Sequence, residues 1–218
     1  MEIIEIELQT DNIDETEMFY RDIFGLNLIN KSQNEISFEA GKSTLTFKQT
    51  SNIKPTYHFA FNIPNNKIEE AIIWASSRFK LIHNDESGII ANFETWNAKA
   101  IYFYDNNNNI LEFIARFDLK NSTEKEFDVS SILSISELGI VVDEPLKFAN
   151  NLVETYQLDY FDKSNKSESF VGLGNDNGLM IIVKKNRKWF PTDQNAEKHT
   201  ARIRIFSNGA INDININL

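Results

Sequence analysis

Along this chain the apolar positions change period repeatedly, from two to about 3.6 and back. Residues 57–63 read YHFAFNI and alternate cleanly, with His58, Ala60 and Asn62 on one face and Phe59, Phe61 and Ile63 on the other. Pro64 and two asparagines stop that strand and cap the next segment. Ile68, Ile72 and Phe79 then recur at helical spacing, which predicts an amphipathic helix over 66–80. Strand patterns return at 89–93, 98–104 and 110–115, the last two joined by the turn-forming run DNNNN. The unit is one strand, one helix and three strands.

The same order recurs on both sides of it. Residues 3–10 predict a strand, 11–14 supply capping chemistry, and ETEMFYRDIFGLNLI predicts a helix closing at Gly25. Residues 34–39 and 43–49 form a hairpin across AGK, so 1–50 make a first copy and 55–117 the second, with Pro55 at their junction. A polar, aperiodic stretch at 118–131 reads as a linker. Beyond it, ISELGIVVDEPLKFANNLVETYQLDYF reads as strand, helix and strand once more, the hairpin SFVGLG–GLMIIVKK across NDNG completes a third copy, and 198–206 adds one more strand. The expected organisation is two paired modules over 1–117 and a third module with an extra strand over 132–218.

The closing strand of the central unit, YFYDNNNNILEF, resembles the aromatic–Asp–Pro–x–Gly–Asn–x–x–Glu strand of the vicinal-oxygen-chelate superfamily, and FYRDIFGL resembles its FYxxxLGL helix end. That group includes glyoxalase I, extradiol ring-cleaving dioxygenases, and fosfomycin- and bleomycin-resistance proteins. Asn106 replaces the usual proline and Asn108 the usual glycine; asparagine still suits a tight turn because it tolerates positive φ. The resemblance implies an α+β fold of repeated βαβββ modules. Two of them, expected to be copies one and two, pair around a curved-sheet cleft, with the third appended.

The resemblance also implies metal ligands on the first and last strands of each module. Copy two supplies His58 and Glu112, a set suited to zinc, iron, manganese, nickel or cobalt. Copy one offers Ile4, or Ile3 on a slipped register, together with Thr46, while Glu5 and Glu7 fall out of phase. Copy three offers Glu137 and Ile181 at the matching places. A cleft between copies one and two would therefore hold an incomplete site.

Composition narrows the classes. With 218 residues, net charge −10 and no cluster of lysine and arginine, the chain is a poor partner for nucleic acid. The absence of cysteine excludes disulfides, thiolate nucleophiles and Cys-ligated zinc. No apolar run reaches the length of a membrane span, and the first residues lack a signal-peptide pattern, so a cytoplasmic location is expected. Gly-rich phosphate loops and nucleophile elbows are absent.

Glu112 is the candidate catalytic residue, as a ligand that doubles as a base, with His58 and Glu112 as metal ligands. A strand histidine beside phenylalanines is more often a hydrogen-bonded cleft or core group than a ligand, and the resemblance and the partner Glu112 raise the ligand reading. Trp96, Asn97, Lys99, Tyr102 and Tyr104 are candidate substrate contacts, against simple packing roles. Arg116 is expected at the surface. The basic run 184–192 is expected to be an exposed hairpin end, with Trp189 and Phe190 forming an interface rather than an anion site. Arg202 and Arg204 share a face of the last strand and are expected to be ion-paired. Two functions stay open: a metal-dependent lyase, isomerase or ring-cleaving dioxygenase, or a metal-free protein that sequesters a small molecule as the bleomycin-resistance proteins do. Either could form a homodimer through the third module.

Overall fold

The computed structural model describes residues 1–83 and 88–217. The chain opens with β1 (Glu2–Thr10) and α1 (Ile13–Glu17), whose first turn is capped by Asn12 Oδ1 accepting from the Glu15 amide at 3.2 Å. The helix widens into a π-helical stretch, Met18–Phe24, and stops at Gly25, φ 90°, a conformation glycine adopts without strain. β2 (Asn27–Lys31), β3 (Glu35–Ala40) and β4 (Ser43–Gln49) complete the first copy.

The second copy runs β5 (His58–Ile63), α2 (Ile68–Ser76), β6 (Leu81–Ile82), β7 (Ala91–Phe93), β8 (Ala98–Tyr104) and β9 (Ile110–Arg116). The third runs β10 (Ser134–Val142), α3 (Pro145–Tyr156), β11 (Phe170–Asn175) and β12 (Gly178–Lys184), and the strand expected directly after the helix is reduced to a single bridge from Tyr160 to Leu173. Two further strands follow where one is expected, β13 (Ala201–Ser207) and β14 (Ala210–Ile216). Segment 118–131 is not a free tether: Phe127 is buried, and its amide donates to Glu70 of α2 at 3.0 Å.

Two curved sheets result, in the orders β14-β13-β1-β4-β3-β2 and β11-β12-β10-β5-β9-β8-β6, with β7 also on β8. Within each copy the first and last strands lie side by side in parallel, β1 on β4, β5 on β9 and β10 on β12. The pairing between copies departs from the expected one. The second copy joins the third through antiparallel β5–β10, and the first joins the C-terminal hairpin through antiparallel β1–β13. Burial and charge explain the choice. Every residue of β5 is buried and β10 is nearly so, as interior strands require. One face of β1 carries Glu5 and Glu7, which find Arg204 and Arg202 directly opposite on β13.

The apolar faces of the two sheets share one core, where Phe59, Phe61, Phe113 and Leu138 meet Ile6, Phe47 and Ile203. Phe24 anchors it, with Phe79, Phe61 and Phe113 ring centres at 5.3, 5.4 and 5.8 Å. The sheets approach so closely at Gly178 that a Cβ there would lie 3.1 Å from the Ile3 amide nitrogen. His58, Ala60, Glu112 and Glu137 are thereby turned to the opposite, concave face of the second sheet.

The DNNNN turn holds β8 to β9 by side-chain bonds. Asp105 accepts from the Asn107 and Asn109 amides at 2.8 Å each, from Asn109 Nδ2 at 2.7 Å and from the Tyr20 hydroxyl at 2.6 Å. Asn109 Oδ1 accepts the Tyr57 amide at 2.7 Å, and Asn108 takes φ 60°, as its place in the motif requires.

Candidate metal centre

β5 lies between β9 and β10, with Ala60 in register with Glu112 on one side and with Glu137 on the other. Three strands thus aim His58, Glu112 and Glu137 at one point, and the small Ala60 side chain leaves room between them. One ligand atom from each lies within 4.8 Å of the others. All three residues are at most 6% exposed.

His58 Nδ1 donates to the Ile110 carbonyl at 3.0 Å, which sets the tautomer and turns the Nε2 lone pair toward the carboxylates. Nε2 sits 3.6 Å from Glu112 Oε2, too far for a hydrogen bond. Burial lowers the imidazole pKa to about 4, so the ring is neutral near pH 7, as a ligand must be. Burial, and then the charge of Glu137, push the Glu112 carboxyl well above its ordinary range, with Arg116 opposing. Glu137 is raised by burial against the pull of Arg116. Two crowded carboxylates and a neutral imidazole, shut away from water, are the surroundings a divalent cation relieves.

Arg116 is not at the surface but wholly buried. β9 runs one residue beyond the expected strand, and its alternation puts Arg116 on the Glu112 face. It pairs with Glu137, reaches Asp176 at 3.3 Å, and donates from Nε to Ser136 Oγ at 3.3 Å. Glu137 is therefore held from behind while its carboxylate faces His58.

His58, Glu112 and Glu137 line a cavity of about 300 Å³. Trp96 and Tyr102, two of the expected contacts, are in its wall, and Ile181 occupies the third-copy position that matches Glu112. Asn97, Lys99 and Tyr104 do not line it. Asn97 takes φ 50° and donates to Asp118 at 2.7 Å, and Lys99 falls on the strand face away from Tyr102. The run 184–192 also departs from expectation, because Arg187, Trp189 and Phe190 fold over the cleft and form part of the wall. Trp189 is buried, 5.0 Å from the His58 ring, in space that only Gly139 leaves open.

The first sheet carries the same geometry with other side chains. Glu7 is in register with Thr46 as Ala60 is with Glu112, so Glu5, not an isoleucine, occupies the His58 position. Thr46 donates to Glu5 at 3.0 Å. Arg202, opposite Glu7, stands where Glu137 stands opposite Ala60, and it bridges Glu5 and Glu7 at 3.0 Å each. That cleft supplies its own cation. The ion pairing expected for Arg202 and Arg204 is present, both reaching Asp213.

Among solved structures the chain is similar to a candidate dioxygenase from Bacillus subtilis, at 16% identity and a TM-score of 0.60 over 84% of this chain and 63% of that one. It thus spans less than two thirds of that protein's length. Parts of it are also similar to a lactoylglutathione lyase from Agrobacterium tumefaciens (22% identity, 51% of this chain and 90% of that one, TM-score 0.42). A fosfomycin resistance protein from Listeria monocytogenes, complexed with Mn(II) and sulfate, matches at 19% identity over 53% of this chain and 89% of that one, TM-score 0.40. No protein-family profile matches the chain. No curated protein matches it in sequence. The chain has the vicinal-oxygen-chelate fold, an α+β assembly of βαβββ modules in open, curved sheets. Among the described residues no helix is long and apolar enough to cross a membrane.

Proposed function

We propose that the cleft between the second and third modules binds one divalent cation through His58 Nε2, Glu112 and Glu137. The protein then acts on a small molecule held in the adjoining cavity, as a metal-dependent lyase, isomerase or dioxygenase. The observation that carries this reading is the convergence of three ligand atoms, buried and within 4.8 Å, from three neighbouring strands. A set of one imidazole and two carboxylates suits manganese, ferrous iron, zinc, cobalt or nickel. When bound, such an ion supplies Lewis acidity to oxygens of the ligand.

The chain's own groups have defined tasks. The Ile110 carbonyl fixes the His58 ring, and Arg116 fixes Glu137. Tyr102 sits across from Glu112 on the neighbouring strand. Burial, then the Glu112 charge, hold its hydroxyl well above its ordinary pKa, so it stays a proton donor near the ligand. Glu112 is the group placed to take up a proton. Aromatic walls from Trp96, Trp189 and Phe190 exclude water from the reacting end of the cavity.

Calorimetric titration with Mn(II), Zn(II) and Ni(II), with metal content by mass spectrometry, tests the reading. Wild type is expected to take up metal, and Glu112→Gln, near-identical in shape, to bind it at least about tenfold more weakly while keeping its circular dichroism. Wild type that cannot be loaded, or a variant with unchanged affinity, would sink the assignment and favour a metal-free binding protein.

A further inference from the structure

We infer that Arg187 is the specificity residue of this cavity, and that the ligand it selects is a flat acid whose carboxylate meets Arg187. The inference deepens the metal-centre reading and rests on it.

Arg187 lies in the loop after β12, half-buried in the cavity wall. Its guanidinium stacks 5.1 Å from the Phe170 ring, and Nη1 donates to the Lys188 carbonyl at 3.0 Å. Among the described residues no carboxylate lies within ion-pair distance of it. Arg21, Arg116, Arg202 and Arg204 all have acidic partners, and Arg78, which has none among the described residues, is exposed over the Trp74 ring. Arg187 also loses hydration to its surroundings.

The charges around the cavity leave one opening. A divalent cation balances Glu112 and Glu137, Arg116 meets Asp176, and Lys163 meets Asp118 at 2.7 Å. Among the described residues the Arg187 charge then has no acidic counterpart, and the ligand is the group that can bring one. The remaining wall says what shape carries that charge. Phe93, Trp96 and Phe190 make that wall aromatic, and about 300 Å³ holds one ring with its substituents. A guanidinium beside aromatic faces is suited to a carboxylate on a planar framework.

The test uses two probes of equal shape, 4-carboxybenzohydroxamic acid and its 4-carbamoyl counterpart, whose hydroxamate claims the metal and whose far ends differ in charge. Their affinities are measured on Mn(II)-loaded wild type, Arg187→Gln and Arg187→Lys. The expected result is an acid bound at least about tenfold more tightly than the amide by wild type. Arg187→Gln should show no preference and Arg187→Lys a partial one, and all three should bind Mn(II) and the amide alike. Equal binding of acid and amide by wild type, or a preference that survives in Arg187→Gln, overturns the inference and leaves the metal centre standing. Failure of the metal reading shows separately, as no Mn(II) uptake. Benzoate against benzamide on the metal-free protein then makes the same comparison: an acid preference lost in Arg187→Gln supports the role of Arg187, and none in wild type ends it.

Discussion

Asp105 does more than shape a turn. Its carboxylate joins the π-helical stretch of the first module, through Tyr20, to the loop that orients Asn109 and thereby the start of β5, where His58 stands. Burial raises the Asp105 pKa to about 6 despite the donors around it. In the unfolded chain the group titrates near its ordinary value, so between about pH 4 and 6 the folded state binds more protons than the unfolded one. The contribution is present at the acid end of that window and is lost as pH rises through 6. With about 1.4 kcal/mol per pKa unit, the change is on the order of 3 kcal/mol. Urea unfolding of wild type and Asp105→Asn at pH 4, 5, 6 and 7 checks it: the stability difference in favour of wild type should shrink as pH rises. A difference that stays level across the window would mean that Asp105 does not titrate there.

Between elements, the decisive fact is which strands become neighbours. Alternation along each strand was legible in the sequence, because a pleated strand turns successive side chains to opposite faces. So was the Asn108 turn, since few residues accept its φ. The equivalence of His58 and Glu137 could also be read, but not their meeting. That depends on β5 choosing β10, residues distant in sequence, over β1. Arg116 was legible in principle, one alternation beyond the apolar run, but a terminal arginine on a strand usually belongs to solvent. The loop over the cleft gave no periodic signal at all. Its seat depends on Gly139, where a Cβ would lie 2.6 Å from Trp189 Cη2. Gly139→Ala is expected to cost about 1–3 kcal/mol, as overpacking does, and to red-shift tryptophan emission as Trp189 is lifted. Gly139→Ala combined with Trp189→Phe should recover part of the loss. An alanine variant with unchanged melting and emission would show that the loop is not seated on this glycine.

Across the whole molecule, the two sheets repeat one construction: a module's first strand pairs antiparallel with another module's first strand (β5 with β10) or with the C-terminal hairpin (β1 with β13), and three positions converge on a concave face. The chemistry at those positions has diverged. The second sheet presents His58, Glu112 and Glu137, with its guanidinium, Arg116, behind Glu137 rather than between the three; the first presents Glu5, Thr46 and Arg202, where the guanidinium itself stands between the acids. A metal entering the first cleft would have to displace a charge bonded to three carboxylates, since Arg202 also meets Asp213 at 2.7 Å. The expected stoichiometry is therefore one metal per chain. Native mass spectrometry of the Mn(II)-saturated protein should find one ion in wild type. Arg202→Met should still bind one, with affinity unchanged within about twofold because its site is on the other sheet, although its melting temperature should fall as Glu5 and Glu7 lose their partner. Two ions in wild type, or one that persists in Glu137→Gln, would place the metal outside the cleft formed by β5, β9 and β10.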